Sequence, residues 1–546
     1  MTAIKSTIGF FKKHWQISLL VFFVCLLAYP YLYLSLHTGQ KFYSPDETAN
    51  FVFIKQFITN NRLSINEPLN QLAGNIILPR SVNIIGNNLV PQSFLGMLVI
   101  YGLIGKIIGV NAVAFLTPII SLLAALFFYY LVLEIFANKK TAFFSAILLL
   151  INPIFFFTAG KSMLHTNLFL FFLIAGLLFL FKSLRKNKFL NICLSAMFIG
   201  LSLTVRTSEI AWIGLFLLVF YLFQRKNYNC KQILTCLFIL AVILSGLLAL
   251  NYSVYRNIFV SGYTAFESSA AQVNPILNFI KTLFLPFGFD IKSIAVHFYN
   301  FFIKYLWFYF IPSLIGLIYL LKQKELNIKI KTFICSLSTV SIYLIVFYGS
   351  YSPWGQSGQP ENMYVNVGAP HLRYWLPIFA MLLPLIYVFF EKIIGEVFIL
   401  QKSAIKNVVL VVFLILVAAF SFNTVFYNQD EGFAKIKNDI ADFRPRLNGV
   451  KALVPANSVL IAPDWADRIF WPEFSVVYSI KDSKIHSGDI FAKIQTLAAL
   501  RPLYYYSASS AQDIADLNLK FNKYDLTLNK ISEIFKGEQL YQLKSQ

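Results

Sequence analysis

The stretch Trp15 to Leu36, WQISLLVFFVCLLAYPYLYLSL, decides the fold. It holds no charged residue, and as a helix rising about 1.5 Å per residue it is long enough to cross a hydrocarbon core of about 30 Å. Lys5, Lys12 and Lys13 precede it and no small-residue cleavage site follows, so it reads as a retained first span with a cytoplasmic N-terminus. Outward from it the pattern repeats. Apolar runs lie at about 113–136, 142–158, 168–181, 189–205, 210–223, 233–250, 299–321, 332–349, 374–390 and 407–423. The basic clusters Lys139-Lys140, Lys182 to Lys188, Arg225 to Lys231, Lys322 to Lys331 and Lys392 to Lys406 fall in every second connection.

Composition agrees with a chain that lives in lipid. Of 546 residues 58% are hydrophobic and only 13% charged, against roughly 25% charged in soluble domains; the mean hydropathy is +0.65. A soluble enzyme is excluded. The net charge of +21 does not point to nucleic acid, because residues 425–546 hold 15 basic and 14 acidic residues while the first 424 hold 31 and 11. The excess sits in short clusters beside apolar runs, as the positive-inside rule expects of cytoplasmic connections. The five cysteines, Cys25, Cys193, Cys230, Cys236 and Cys335, lie in apolar segments or beside a basic loop and suggest no disulfide framework or thiolate metal site.

One apolar segment, Ser93 to Gly109, carries four glycines and Lys106. If it crossed the membrane, the clusters from Lys139 to Lys231 would move outside, so it is expected to lie on or dip into the outer face. Eleven spans result. Parity then places residues 37 to about 112, 252–298, 351–373 and everything after Thr424 outside. That tail changes character: Ser458 to Ala462, Phe474 to Ile480 and Pro502 to Tyr506 read as short strands, and Gln512 to Phe521 and the stretch after Glu431 as amphipathic helices. The expected architecture is a helical polytopic module over 1–424 with a small external α/β domain over 425–546.

Acidic residues are scarce in the membrane part. The first 424 residues contain two aspartates, Asp46 and Asp290, and nine glutamates. Against that scarcity Asp46 and Glu47 stand side by side in Tyr43-Ser44-Pro45-Asp46-Glu47-Thr48, about ten residues after the first span. One reading is a helix N-terminus, with Ser44 or Asp46 as cap and an acid in the first turn. The other is a general base at the membrane surface, acting on a hydroxyl or an amine. By parity Arg80, Lys161, Arg206 and Arg373 all fall on the outer side, against the trend for basic residues. They either snorkel or pair with acids such as Glu209 and Glu361, or they form a clamp for an anionic group.

An aromatic residue, then Pro-Asp-Glu, then an amphipathic helix in the first external loop resembles the Asp-Glu motif of the GT-C glycosyltransferases. That superfamily includes the protein O-mannosyltransferases and the lipid A aminoarabinose transferases. Other landmarks follow in order. Asn87 to Gln92 resembles the end of that family's first loop, and Ile151-Asn152-Pro153 to His165-Thr166-Asn167 its connection between the third and fourth spans. Gly200 to Glu209, with Thr204-Val205-Arg206, is similar to its Gly-rich span ending in a basic residue. His371-Leu372-Arg373-Tyr374-Trp375-Leu376-Pro377 resembles its Arg-Tyr-x-x-Pro stretch. The family's membrane module has surface helices after its first span, as charge parity places them here, and many members carry an external C-terminal domain.

The resemblance implies an inverting transfer of a sugar from a polyprenyl phosphate carrier to a protein, lipid or glycan acceptor at the extracytoplasmic face. Asp46 would be the base, with Glu47 orienting the acceptor, and Arg206, Arg373, Arg80 and Lys161 would hold the donor phosphate. Where many members have an aspartate this sequence has Asn167, beside which His165 is a substitute. His371, Trp354 and Glu361 are further candidates for substrate contact, the last two in a polar, aromatic, Gly-rich loop over 352–370. A single Asp-Glu pair is a poor cage for a divalent cation, so metal independence is expected, with a divalent cation as the alternative. The rival class is a multi-pass transporter or flippase of a lipid-linked or glycan substrate. Transporters place ionisable residues near the bilayer midplane, whereas these candidates gather at one surface.

Overall fold

Long apolar helices dominate the computed structural model, which describes residues 2–185, 188–263, 284, 287–351, 365–397, 403–478, 480 and 489–545. Among the described residues nine helices are long and apolar enough to cross a membrane, and up to eleven if two bent pairs each count as one span. They coincide with the eleven apolar runs, of which two carry a charge near one end, Glu134 and Lys304. The chain is an α-helical polytopic membrane protein. In lipid only a helix satisfies every backbone donor and acceptor from within its own segment, so length and apolar composition suffice to specify each span.

The bends have local causes. Lys139–Leu150 and Pro153–Gly160 meet at 53°. Pro153 lacks the donor needed to continue the first helix, and Asn152 starts the second by accepting the N–H groups of Ile154 and Phe155 at 3.0 and 3.1 Å. Ile291–Tyr305 and Trp307–Leu321 meet at 95°, directly after the π-helical turn Tyr299–Tyr305.

The contacts divide the chain into two compact units that interleave in sequence. The first comprises Met1–Tyr33, Phe115–Leu247 and Gln272–Lys435; the second comprises Leu34–Ala114, Leu248–Ala271 and Ile436–Gln546.

The first unit is built of spans packed through small residues. Gly176 lies against Ile199, joining His165–Lys182 to Lys188–Val205, and Gly316 lies against the carbonyl of Leu385, joining Trp307–Leu321 to Leu376–Val388. A methyl at Gly316 would meet backbone rather than a movable side chain. Gly316→Ala is therefore expected to destabilise the protein by about 1–3 kcal/mol, the range for overpacking, read as a lower melting temperature in detergent; an unchanged melting temperature would show that the two helices separate freely. At one end of the spans the buried Glu134 binds Arg185 at 2.8 Å and Lys329 at 2.5 Å.

The second unit contains helix Pro45–Asn60, helix Leu95–Ile108 and two sheets. Leu95–Ile108 has 14 residues, about 21 Å at the rise of an α-helix, too short to cross. Its glycine face seats helix Pro45–Asn60: Gly102 receives Phe57 and Gly105 receives Ile58. β1 (Ile65–Asn66), β2 (Val82–Ile85) and β3 (Asn88–Pro91) form a small antiparallel sheet in the order β1-β3-β2. β4 (Val459–Ala462), β5 (Ser475–Tyr478), β6 (Leu503–Ser507), β7 (Leu526–Phe535) and β8 (Glu538–Ser545) form a five-stranded mixed sheet in the order β5-β4-β6-β8-β7. β4 is parallel to β5 and β6, and β8 is antiparallel to β6 and β7.

Chain from two distant parts of the sequence builds one core here. Ala73, Ile76 and Ile77 are buried with Val459, Ile461, Val477, Ile494, Leu497 and Leu503, and Leu78 bridges in parallel to Val477 on the open side of β5. The loop after the first span thus completes the hydrophobic face of the C-terminal sheet.

Candidate functional site

In the second unit, helix Pro45–Asn60 begins at Ser44, with Pro45 in the first turn. Glu47 is buried, and its Oε2 accepts the Ser44 N–H at 3.2 Å. This is half of a capping box and matches the helix-start reading of that residue. Asp46, one position earlier, points elsewhere. It is half-buried, and its Oδ1 accepts the hydroxyl of Ser81 at 2.5 Å. The two adjacent carboxylates are therefore separated by function: one holds the helix start, the other stands at its surface against a serine hydroxyl.

Ser81 has a positive φ of 61°, uncommon for a residue with a side chain. The residue before it, Arg80, is held by Asp467. The Arg80 N–H donates to Asp467 Oδ2 at 2.7 Å, and its Nε and Nη2 both lie 3.4 Å from Oδ1. The Asp467 side chain is 2% exposed and that of Arg80 30%. Arg468 lies over the ring of Tyr43 at 4.7 Å and over Phe443 at 5.7 Å. Burial first, then the charge of Arg80, pushes its guanidinium below the ordinary value, while Glu47 pulls in the opposite direction.

The first unit gathers Arg206 and Arg373, 167 positions apart in sequence. Both guanidinium groups stand 5.1 Å from the centre of the Tyr374 ring, and Tyr374 stacks on Tyr348 at 4.5 Å. Arg206 follows directly on Lys188–Val205, and its Nη2 binds Glu209 Oε1 at 2.6 Å and the Tyr348 hydroxyl at 3.2 Å. Tyr348 in turn donates to Glu209 Oε1 at 2.7 Å, and Trp212 Nε1 donates to Oε2. Pairing with Glu209 is one of the two readings the sequence left open for Arg206. The pairing does not exhaust the guanidinium, for Nη1 is buried with no hydrogen-bond partner among the described residues. Arg373 donates from Nη2 to the Tyr374 hydroxyl at 3.2 Å.

The remaining candidates are dispersed. Lys161, buried, lies 3.7 Å from Glu431 and 5.3 Å from the centre of the Phe157 ring. His165 is the first residue of helix His165–Lys182 and is buried. Asn167 is fully enclosed, donating to Ser121 Oγ at 2.9 Å and to the Phe155 carbonyl at 3.2 Å, so it ties helix ends together. His371 has no exposed surface. Its Nε2 faces the Tyr351 carbonyl at 2.9 Å and its ring packs against His297 at 4.3 Å. Burial, reinforced by His297, lowers its pKa to about 3 and keeps it neutral. Trp354 and Glu361 lie outside the described residues. Among the described residues no three His, Cys, Asp or Glu side chains group as metal ligands would.

Ser81, Asp467, Arg468 and Tyr348 were not legible as site residues, whereas the sequence already offers Glu209 as a partner for the outer-side cations. Arg468 belongs to the charge-balanced tail, and Ser81 is a serine among many. The available signal was Asp467-Arg468, a charged pair set between the hydrophobic strand β4 and the aromatic run Phe470-Trp471.

No family model matches the chain, and no curated protein matches it in sequence. Solved structures do. ArnT from Cupriavidus metallidurans bound to undecaprenyl phosphate superposes with a TM-score of 0.55 at 11% identity, over 97% of this chain and 98% of that one. ArnT from the same organism in the apo state gives 0.52 at 11% identity, over 96% and 97%. The likeness runs from the first span through the C-terminal sheet, and by it this chain has the GT-C fold of the membrane glycosyltransferases.

Proposed function

We propose that the chain is a glycosyltransferase that takes a hexosyl or pentosyl unit from a polyprenyl phosphate carrier and transfers it, with inversion, to an acceptor at the extracytoplasmic face. The N-terminus is then cytoplasmic. Residues 1–424 supply the membrane module of the enzyme and residues 425–546 its extracytoplasmic part. The observation that carries this reading is the carboxylate of Asp46, one of two aspartates in the first 424 residues, half-buried at the start of a helix just after the first span. The GT-C fold supports the reaction class, and the undecaprenyl phosphate in the ArnT structure supports the carrier.

The chemistry divides among the residues accordingly. Asp46 accepts the proton of the acceptor hydroxyl or amine as its oxygen or nitrogen bonds to the anomeric carbon. The bond from that carbon to the phosphate oxygen breaks, and polyprenyl phosphate leaves with the electron pair. The leaving phosphate gains negative charge, which guanidinium groups stabilise through paired hydrogen bonds. Arg206, with Nη1 uncommitted among the described residues, and Arg373 are assigned that role, with Arg80 and Lys161 as further cations. Glu47 supports the base by fixing the start of its helix.

The test is turnover by purified protein in lipid vesicles, given a panel of radiolabelled polyprenyl phosphate sugars. Release of polyprenyl phosphate with transfer of label is the expected result. Movement of a lipid-linked sugar across the bilayer without cleavage would replace the reading with a flippase.

A further inference from the structure

Three observations meet at residues 80 and 81. Ser81 places its hydroxyl 2.5 Å from Asp46 Oδ1. Its left-handed φ of 61° does not arise from its own preference, since non-glycine residues avoid that region. The conformation is pinned on both sides. The Arg80 N–H is held at 2.7 Å by the buried Asp467, and the Ser81 carbonyl accepts the Gln92 N–H at 3.1 Å. A carboxylate from the C-terminal part of the chain thereby dictates where the hydroxyl facing Asp46 sits. The Arg80 side chain engages the same carboxylate, so backbone and side chain of one residue are locked together.

We propose that Ser81 and Asp467 are positioning residues for the base. Asp467 clamps Arg80, the clamp holds Ser81 in its left-handed conformation, and the Ser81 hydroxyl selects the rotamer in which Asp46 meets the acceptor. This rests on the assignment of Asp46 as base. It gives the C-terminal part a catalytic purpose, that of setting a carboxylate in the first loop, which no contact with substrate requires. A hydroxyl donor suits this role because it fixes one carboxylate oxygen and leaves the other to take the proton.

The variant that separates positioning from mere folding is Ser81→Gly. Glycine adopts the left-handed conformation without penalty, so a purely structural role of residue 81 predicts wild-type transfer. The positioning role predicts that Ser81→Gly lowers kcat about 10-fold, the worth of one hydrogen bond of about 1.4 kcal/mol, with KM for the undecaprenyl phosphate sugar unchanged. Asp467→Asn is expected to lower kcat in the same sense, and Ser81→Gly should cause no further loss in an Asp46→Asn background.

The outcomes separate positioning from base catalysis. Loss in Asp46→Asn with wild-type kcat in Ser81→Gly overturns the positioning role and leaves the base assigned. Wild-type transfer by Asp46→Asn overturns both. A readout without substrate runs alongside: the melting shifts of Ser81→Gly and Asp46→Ala, each of which removes one partner of the hydrogen bond, must be non-additive in the full chain, and additive shifts overturn the inference even where no donor turns over.

Discussion

Asp46→Asn is expected to reduce sugar transfer about 10²- to 10⁴-fold, the usual contribution of a general base, while donor binding persists. Asparagine keeps the shape of the side chain and still offers Ser81 an oxygen at the position now 2.5 Å from the hydroxyl, but it cannot take a proton. The cations assigned to the phosphate are untouched by the change. The measurement compares initial rates at saturating donor with direct binding of the same radiolabelled polyprenyl phosphate sugar. A rate fall without weaker binding places the defect in the chemical step. If the variant transfers as fast as the wild type, another group removes the proton and a helix start is all that the Asp46-Glu47 pair provides.

Glu209→Ala is expected to have the largest effect on stability, a loss of about 3–5 kcal/mol, the range for stripping one partner from a buried ion pair. Arg206 is 5% exposed and Glu209 1%. Removing the carboxylate leaves a guanidinium held by the Tyr348 hydroxyl and by the rings of Phe169 and Tyr374, and it strands the Trp212 N–H and the Tyr348 hydroxyl that Glu209 accepts. The double variant Arg206→Met with Glu209→Ala is expected to recover much of the loss, because removing both charges leaves no uncompensated ion. Thermal unfolding in detergent distinguishes these results. Equal melting temperatures for wild type and Glu209→Ala would mean that water reaches Arg206. In transfer assays the double variant should remain impaired despite its recovered stability if Arg206 also binds the phosphate.

Shortening the chain at residue 425 is not a clean way to ask what the C-terminal part does. Ala73, Ile76 and Ile77 share a core with its sheet, and Arg80 shares an ion pair with Asp467. Removal would expose that apolar surface and release the loop that carries Ser81. Point variants at Asp467 ask the question without unfolding the loop.

Several features were readable in the sequence. Each span is a long apolar run, and charge parity together with the glycines of Ser93 to Gly109 set that segment apart from the spans, as the 14 residues of Leu95–Ile108, too few to cross, agree. Three C-terminal strands and the helix Ala511–Asn522 fall where alternation and amphipathicity place them. The hairpin of β7 and β8 escaped, because polar residues such as Asn529, Lys530 and Glu533 dilute its alternation. Its turn at Lys536-Gly537, with φ of 43° and 85°, was the one local sign. Asp46 stood out by the scarcity of acids around it.

Local composition thus determined which helices can span a membrane and which carboxylate is candidate for chemistry, because a span in lipid must satisfy its own backbone and a stray charge there needs a reason. Tertiary structure alone decided the rest: that Asp467 clamps Arg80 across 387 positions, that Arg206 and Arg373 share the ring of Tyr374, and that the first loop completes the C-terminal core. Those contacts join residues whose own neighbourhoods in sequence are ordinary, and burial gives such pairs their strength only once the chain has closed around them.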